Sequence, residues 1–473
     1  MEGLFVDGQW RPQDGRSMAA TSPVDDSTLG SVPTGTGEHV DAAVSATAGA
    51  APELRNQSVY DRADAIRATM DALERRSETI VDAMAREVGK PVDEAREELE
   101  SAISSGRSYA EDAVRLFGEV TPSKFDDRLN FTRREPYGPA AVVTPWNYPV
   151  EIPVDHVSAA LVTGNPVTWN PASEAALTAS HVARSFAEAP LPDGAFNFVP
   201  GSGSTVGAAL ADHEAVRLVA FTGSTAVGQR IAASAAQRSA QAVLELGGKD
   251  PVLVLDDADL DRAADAIVAG SNYNCGQSCS GTERVIATEG VYDEVVDRVT
   301  ERTAALVVGD PLDRSTDVGP PINEDVRETV REQIAGAADA GARVTTGGTV
   351  GDRYCEPTVV ADVTPDMRIA TEETFGPVTP ILRVADVEEA IDVANDSKYG
   401  LQAAVFTESI RLAHRAVDEL RSGGVVVNGT NNVWEHQLPF GGFKQSGSGG
   451  EYKGKWHLEA MTQVKSVSID YGG

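Results

Sequence analysis

Cys279 lies in Asn274-Cys275-Gly276-Gln277-Ser278-Cys279-Ser280-Gly281, where small neighbours let two reactants approach one sulfur closely. A buried structural thiol is the competing reading, and it is kept for Cys275 and Cys355. Glu245, in Leu244-Glu245-Leu246-Gly247-Gly248-Lys249, is a lone acid in a short apolar run followed by two glycines. Confinement of that kind raises a carboxyl pKa and suits a general base; a salt bridge to Lys249 is the plain alternative. Asn147, in Pro145-Trp146-Asn147-Tyr148-Pro149, offers a side-chain amide to an oxyanion, or simply completes a turn. The run Phe221-Thr222-Gly223-Ser224-Thr225-Ala226-Val227-Gly228 follows a strand and opens a helix. Its backbone N–H groups and the helix dipole can meet a pyrophosphate, although it is not the G-x-G-x-x-G fingerprint.

These residues need elements to hold them. The stretch to about Gly37 reads as short strands and turns. From Val40 to about Leu116 the pattern is helical, with Ala63, Ile66, Met70, Leu73, Ile80, Met84 and Val88 at three- and four-residue steps. Gly89-Lys90-Pro91 breaks that helix. After Pro136 the texture alternates between strands (Ala140–Val143, Pro166–Trp169, Phe196–Val199, Val216–Phe221) and helices (153–162, 174–188, near 204–211), which predicts a parallel sheet covered on both faces. A second α/β block runs from Pro251 to about Val427. The alternating end, Val464–Ile469, reads as a strand with Leu129–Arg133 as its candidate partner, at positions that could join subunits.

Across 473 residues, too many for one ordinary domain, 72 acidic residues face 40 basic ones, for a net charge of -32. The charge is spread along the chain amid apolar runs, so a folded acidic surface is read rather than disorder. Arg outnumbers Lys among the cations. Together these features resemble adaptation to high salt, where an acidic, hydrated surface stays soluble. Nucleic acid is disfavoured as a partner, since phosphates need a basic face. No run of about 18 apolar residues suggests a membrane span, and the start lacks the pattern of a secretory signal, so a cytoplasmic location is expected. Three cysteines build neither a disulfide framework nor a zinc pattern.

Taken in order, Pro145-Trp146-Asn147-Tyr148-Pro149, Phe221-Thr222-Gly223-Ser224, Glu245-Leu246-Gly247-Gly248-Lys249, Gly276-Gln277-Ser278-Cys279, Glu372-Glu373-Thr374-Phe375-Gly376-Pro377 and Pro439-Phe440-Gly441-Gly442 closely resemble the aldehyde dehydrogenase superfamily. The resemblance covers essentially the whole chain. It implies a Rossmann-like cofactor domain (1–117 and 137–246), an α/β catalytic domain (247–445) and a small β oligomerisation arm (118–136 and 446–473). It implies a homodimer or homotetramer and a reaction that needs no metal. Cys279 would attack the aldehyde, Asn147 would hold the oxyanion, and Glu245 would activate water to hydrolyse the thioester, giving a free acid rather than a coenzyme A ester. Trp146, Phe221, Thr222, Gly223, Ser224, Val227, Leu246, Glu373 and Phe375 would contact the NAD or NADP cofactor.

The chain departs from the family pattern at three places. Asn170-Pro171-Ala172-Ser173 stands where Lys-Pro-(Ala/Ser)-Glu is usual, so the lysine for the adenosine ribose is missing. Ser173 would not repel a 2′-phosphate, which favours NADP or dual use, whereas Glu174 reaching the ribose would restore NAD. His156 stands where many relatives carry a lysine, and with Glu451 it could relay protons near neutral pH, or it could pack structurally. The expected substrate pocket comprises Tyr148, Ile152, Asp155, Ser278, Ser280, Trp434 and Phe440, with no Arg or Lys to hold an anionic substrate. A neutral aromatic or hydroxylated aldehyde, or a cationic one, fits that pocket. The alternatives are a semialdehyde dehydrogenase of sugar-acid catabolism (such as one acting on 2-oxoglutarate semialdehyde), a thiol esterase, and a cofactor-binding protein without activity.

Overall fold

The computed structural model describes residues 3–11, 15–432 and 434–472. Ala140–Thr144, Val167–Pro171 and Leu218–Thr222 are buried at every position, as strands covered on both faces must be. They belong to a sheet ordered Gln241–Glu245, Leu218–Thr222, Ala140–Thr144, Val167–Pro171, Phe196–Phe198, all parallel. The antiparallel hairpin of Leu4–Val6 and Gln9–Arg11 extends its far edge. Side chains along Ala140–Val143 alternate between two cores. Ala140 and Val142 join Met70, Leu99 and Val157, while Ala141 and Val143 join Val44, Val206 and Ile231.

A second sheet repeats this plan in the order Arg343–Thr346, Thr358–Val363, Val378–Val384, Arg284–Thr288, Pro251–Val254, Gln402–Phe406, Gly424–Val427. Only the edge strand Arg343–Thr346 is antiparallel. Val252 and Val254 face one core and Leu253 the other. The third sheet pairs Thr462–Asp470 antiparallel with Arg128–Pro136, with Val120–Thr121 beyond. Lys465 lies opposite Arg133 and Ile469 opposite Leu129. The strand pairing read from the two alternating segments is therefore present.

Four helices occupy the early region: Gly37–Asn56, Val59–Arg75, Ser77–Val88 and Val92–Ala113. Ser58 caps the second through the Asp61 N–H, and Gly89, at φ +81°, closes the third in a left-handed conformation that favours glycine. Among the described residues, no helix is long and apolar enough to cross a membrane.

The carboxyl edge of the first sheet collects chemistry. Thr222 and Glu245 end adjacent parallel strands in register, and Thr144 leads directly into Pro145-Trp146-Asn147. Outside this edge is where open parallel sheets bind ligands.

Candidate active site

Cys279 lies on the loop between helix Leu260–Asn272 and strand Arg284–Thr288 of the second sheet, facing the carboxyl edge of the first. Gly248 permits the approach, because a Cβ there would stand 2.6 Å from the Cys279 carbonyl oxygen. Two cavities meet at this sulfur. One is a cleft of about 490 Å³; the other is a tight chamber of about 30 Å³, and their walls share only Thr222 and Cys279. Burial, with the charges of Asp250, Glu245 and Glu373 behind it, pushes the Cys279 thiol well above its usual pKa. Cys275 and Cys355 are fully buried and border neither cavity.

Glu245 is 2% exposed on the chamber wall, and neither of its carboxylate oxygens has a hydrogen-bond partner among the described residues. Lys249, its alternative partner by sequence, instead donates to Glu283 at 2.6 Å. Burial therefore raises the Glu245 pKa well above the carboxylate range, with the charge of Glu451 adding to the effect. Glu283 is in turn a brace, accepting from the N–H groups of Thr374 and Phe375.

The Asn147 amide donates to the Gln277 carbonyl (2.9 Å) and so touches the loop carrying Cys279. An amide has two N–H donors. Its backbone carbonyl accepts from Lys90 and Asn274, both at 3.0 Å. Lys90 is buried in an ion pair with Glu98, whose other oxygen accepts from the N–H groups of Val150 and Glu151. Helix Val92–Ala113 supplies this support from one stripe. Glu94 accepts from Asn274 N–H, Ser101 donates to Glu151, Ser105 donates to Asp155, and Tyr109 meets His457.

The cleft fits a dinucleotide. Thr222, Gly223 and Ser224 line it where helix Thr225–Gln237 begins, and the Ser224 side chain does not cap that helix, so backbone N–H groups remain for a pyrophosphate. Val227 is exposed in the helix's first turn. Glu373 also lines the cleft, accepts from Gly248 N–H at 2.9 Å, and is raised by burial to a pKa of about 7. Gly247 makes room for it, since a Cβ there would lie 2.8 Å from the carboxylate. Trp146 and Phe375 meet edge to face at 5.6 Å on the same wall, which Leu246 also joins.

Four residues expected in the cleft differ, Val227 being exposed on its helix but off the cleft wall. Phe221 packs in the core with Val143 and Leu246, beneath the glycine turn. Asn170 is buried and donates to the carbonyls of Val199 and Gly201, so it holds that loop rather than a ribose. Ser173 lies in a short 3₁₀ turn off the cleft wall, and the exposed Glu174 beside it lines the wall instead.

Tyr148, Ile152, Trp434 and Phe440 are on the chamber wall, with Tyr148 and Trp434 edge to face at 4.9 Å. Ser278 and Ser280 lie behind it, because both hydroxyls donate to Asn432. Asp155 is also behind the wall, wholly buried, and accepts from the Tyr452 hydroxyl at 2.6 Å and from Ser105. The expected His156–Glu451 pair is not formed. His156 uses Nδ1 on His457 (3.2 Å) and Nε2 on Thr222 (3.0 Å), and burial lowers its pKa to about 4, away from neutrality.

Sequence reasoning missed the residues that complete the chamber: Glu151, Tyr452 and Lys453. Lys453 is 3% exposed and ion-paired with Glu151 (2.5 Å) and Asp155 (3.1 Å). Burial alone would lower its pKa, but the two carboxylates outweigh that and raise it. A cation among Gly, Tyr and Trp two residues beyond Glu451 was the available signal.

The sequence profile of the aldehyde dehydrogenase family matches residues 10–467. The chain is 38% identical to the alpha-ketoglutaric semialdehyde dehydrogenase of Bacillus subtilis, over 98% of this chain and 97% of that one. It is 36% identical to the NADP-dependent glyceraldehyde-3-phosphate dehydrogenase of Streptococcus equinus, over 98% of each. Among solved structures, the NAD-dependent aldehyde dehydrogenase of Sinorhizobium meliloti superposes with a TM-score of 0.96 at 34% identity, covering 100% of this chain and 95% of that one.

Proposed function

This chain belongs to the aldehyde dehydrogenase family and oxidises an aldehyde with NAD or NADP; on that premise we propose that Cys279 is the nucleophile, Glu245 the base and Asn147 the oxyanion donor. The observation that carries this reading is the pair Cys279 and Glu245 on one chamber wall, the acid buried with both oxygens unpartnered. Glu245 takes the thiol proton as sulfur bonds to the aldehyde carbon. The second N–H of Asn147 and the Cys279 backbone N–H receive the oxyanion, each such donor being worth about 3–4 kcal/mol. A nicotinamide held in the cleft would supply the hydride acceptor. Glu245 gives the thiol proton up to solvent and then, again a carboxylate, removes a proton from water. That water attacks the thioester, breaks the carbon–sulfur bond and releases the acid, leaving the sulfur of Cys279 free. Thr222, Gly223, Ser224, Glu373 and Phe375 hold the cofactor, and Glu174, on the wall where Ser173 is not, opposes a 2′-phosphate, so NAD is the preferred cofactor.

Rapid mixing tests the assignment. Glu245→Gln should give a burst of about one reduced cofactor per site, then steady turnover slowed roughly 10²- to 10⁴-fold. Cys279→Ala should give no burst. Undiminished steady turnover in Glu245→Gln would refute Glu245 as the base.

We propose the domain division read from the sequence: a cofactor unit (1–117 and 137–246), a catalytic unit (247–445) and an arm (118–136 and 446–473). Strand Thr462–Asp470 is an edge strand exposing Val464 and Ile469, a ready template for another copy, which supports a homodimer or homotetramer. The acidic surface supports a salt-rich cytoplasm. A second reading, a semialdehyde bearing a carboxylate, is favoured by the Bacillus subtilis relative.

A further inference from the structure

A basic cavity of about 350 Å³ interrupts this acidic molecule where strand Arg128–Pro136 meets the C-terminal ends of helices Gly37–Asn56 and Glu151–Val162. Arg55, Arg62, Arg133 and Arg134 line it, with Glu135 as the one acid on the wall. Arg62 is anchored by carbonyls. Its Nε donates to Val162 (2.8 Å), and its Nη1 donates to Leu54 (3.2 Å) and Gln57 (2.6 Å). Nη2 keeps two protons with no acceptor among the described residues, at an atom not shut off from solvent. Burial lowers the Arg62 pKa, and only the exposed Asp61 acts against it. Gly164, at φ +95°, leaves the guanidinium uncovered, since a Cβ there would stand 3.7 Å from Arg62 Cζ. Arg55 is exposed and has neither an ion pair nor a hydrogen bond among the described residues. Arg133 shares Glu135 with Lys465, whose ammonium is 2.5 Å away from that carboxylate, and Arg134 reaches Glu459 at 3.4 Å. Five cations (Arg55, Arg62, Arg133, Arg134, Lys465) thus face three acids, on a chain whose net charge is -32.

We propose that this cavity binds a small multivalent oxyanion of the phosphate class, gripped by the guanidinium groups of Arg55, Arg62, Arg133 and Arg134. It shares no residue with the cofactor cleft, so it is a second anion site. Like charges held together repel, and an anion between them removes that repulsion. The planar fork of arginine matches phosphate oxygens two at a time. A tetrahedral phosphate offers oxygens to forks arriving from the strand and from both helices, whereas a planar carboxylate faces only one or two. The helix C-termini would themselves oppose an anion, but Arg62 already covers their carbonyls. Those same bonds fix Arg62 before any ligand arrives, which lowers the entropy lost on binding.

Calorimetric titration of pyrophosphate into enzyme saturated with NADH tests this, because NADH fills the other phosphate-binding surface. The expected result is one pyrophosphate per chain, bound more weakly as KCl is raised. Arg55→Gln combined with Arg133→Gln should weaken that binding by at least about tenfold, since charge-assisted hydrogen bonds are lost. Both side chains lie at the surface, so the double variant should fold and keep wild-type affinity for NADH. Arg62→Lys, which keeps the charge and loses the fork, should also weaken pyrophosphate binding. Absence of binding, displacement of NADH by pyrophosphate, or an unchanged affinity in the double variant would overturn the proposal. So would a wild-type oligomer that ignores pyrophosphate but dissociates in the double variant, which would give the cavity to an acidic side chain of a second copy.

Discussion

Buried acids without partners are costly, and Glu245 keeps that cost because Lys249 is turned away to Glu283. Its raised pKa has a kinetic consequence with a definite sign. Only the carboxylate is a base, so turnover falls on acidification and climbs with pH until Glu245 is ionised. His156 does not share that titration, because burial holds it neutral above a pKa of about 4. His156→Gln should therefore leave the shape of the kcat profile from pH 6 to 9 unchanged, whatever it does to the plateau; a profile displaced by a pH unit would restore the histidine as a proton relay. Cys279 and Glu245, the proposed nucleophile and base, stood out in the sequence because an isolated polar residue among small or apolar neighbours is conspicuous. Lys453 was not, since a lysine beside glycine looks like a solvated turn, and its two carboxylates lie about 300 positions earlier. Phe221 and Asn170 sit beside functional residues in sequence but point into the core and a loop.

Helix Val92–Ala113 shows why periodicity alone cannot assign function to an element. Glu94, Glu98, Ser101, Ser105 and Tyr109 follow one another at helical steps, a pattern that in most helices marks the face toward water. Here the stripe faces inward, holding the Cys279 loop, the start of helix Glu151–Val162 and the histidine pair. Glu94 binds the Asn274 N–H, yet burial lifts its pKa to about 8. Between the ordinary carboxylate range and about pH 8 the folded chain therefore holds a proton that the unfolded chain has lost, so stability falls as pH rises through that window. Glu94→Gln should flatten this decline, which thermal melts at pH 5 and pH 8 would measure. A variant whose melting temperature falls as steeply as wild type would remove Glu94 as the cause. The strands were easier to read, because runs such as Ala140–Val143 are apolar at every position. The early helices merged into one reading because Arg76 separates two of them without a proline or glycine.

At the scale of the whole molecule, 72 acids outnumber 40 bases, so the surface keeps unpaired negative charge even where Arg bridges two acids, as Arg107 does between Asp71 and Glu74. Screening shortens the reach of that repulsion to about 3 Å at 1 M salt. The melting temperature should rise by roughly 3 °C or more between 0.2 and 2 M KCl, since each kcal/mol moves a chain of this size by about 1 °C. A flat or falling salt dependence would show that the surplus charge is not what limits stability.

The two cavities have walls that share only Cys279 and Thr222. Choice of aldehyde and choice of cofactor are thus almost separate inheritances. A mutation in the Trp434 and Lys453 wall can redirect diet without touching the currency of reducing power, and one near Glu174 can do the reverse. A lineage built this way can explore new foods and new electron carriers independently, each change judged by selection on its own.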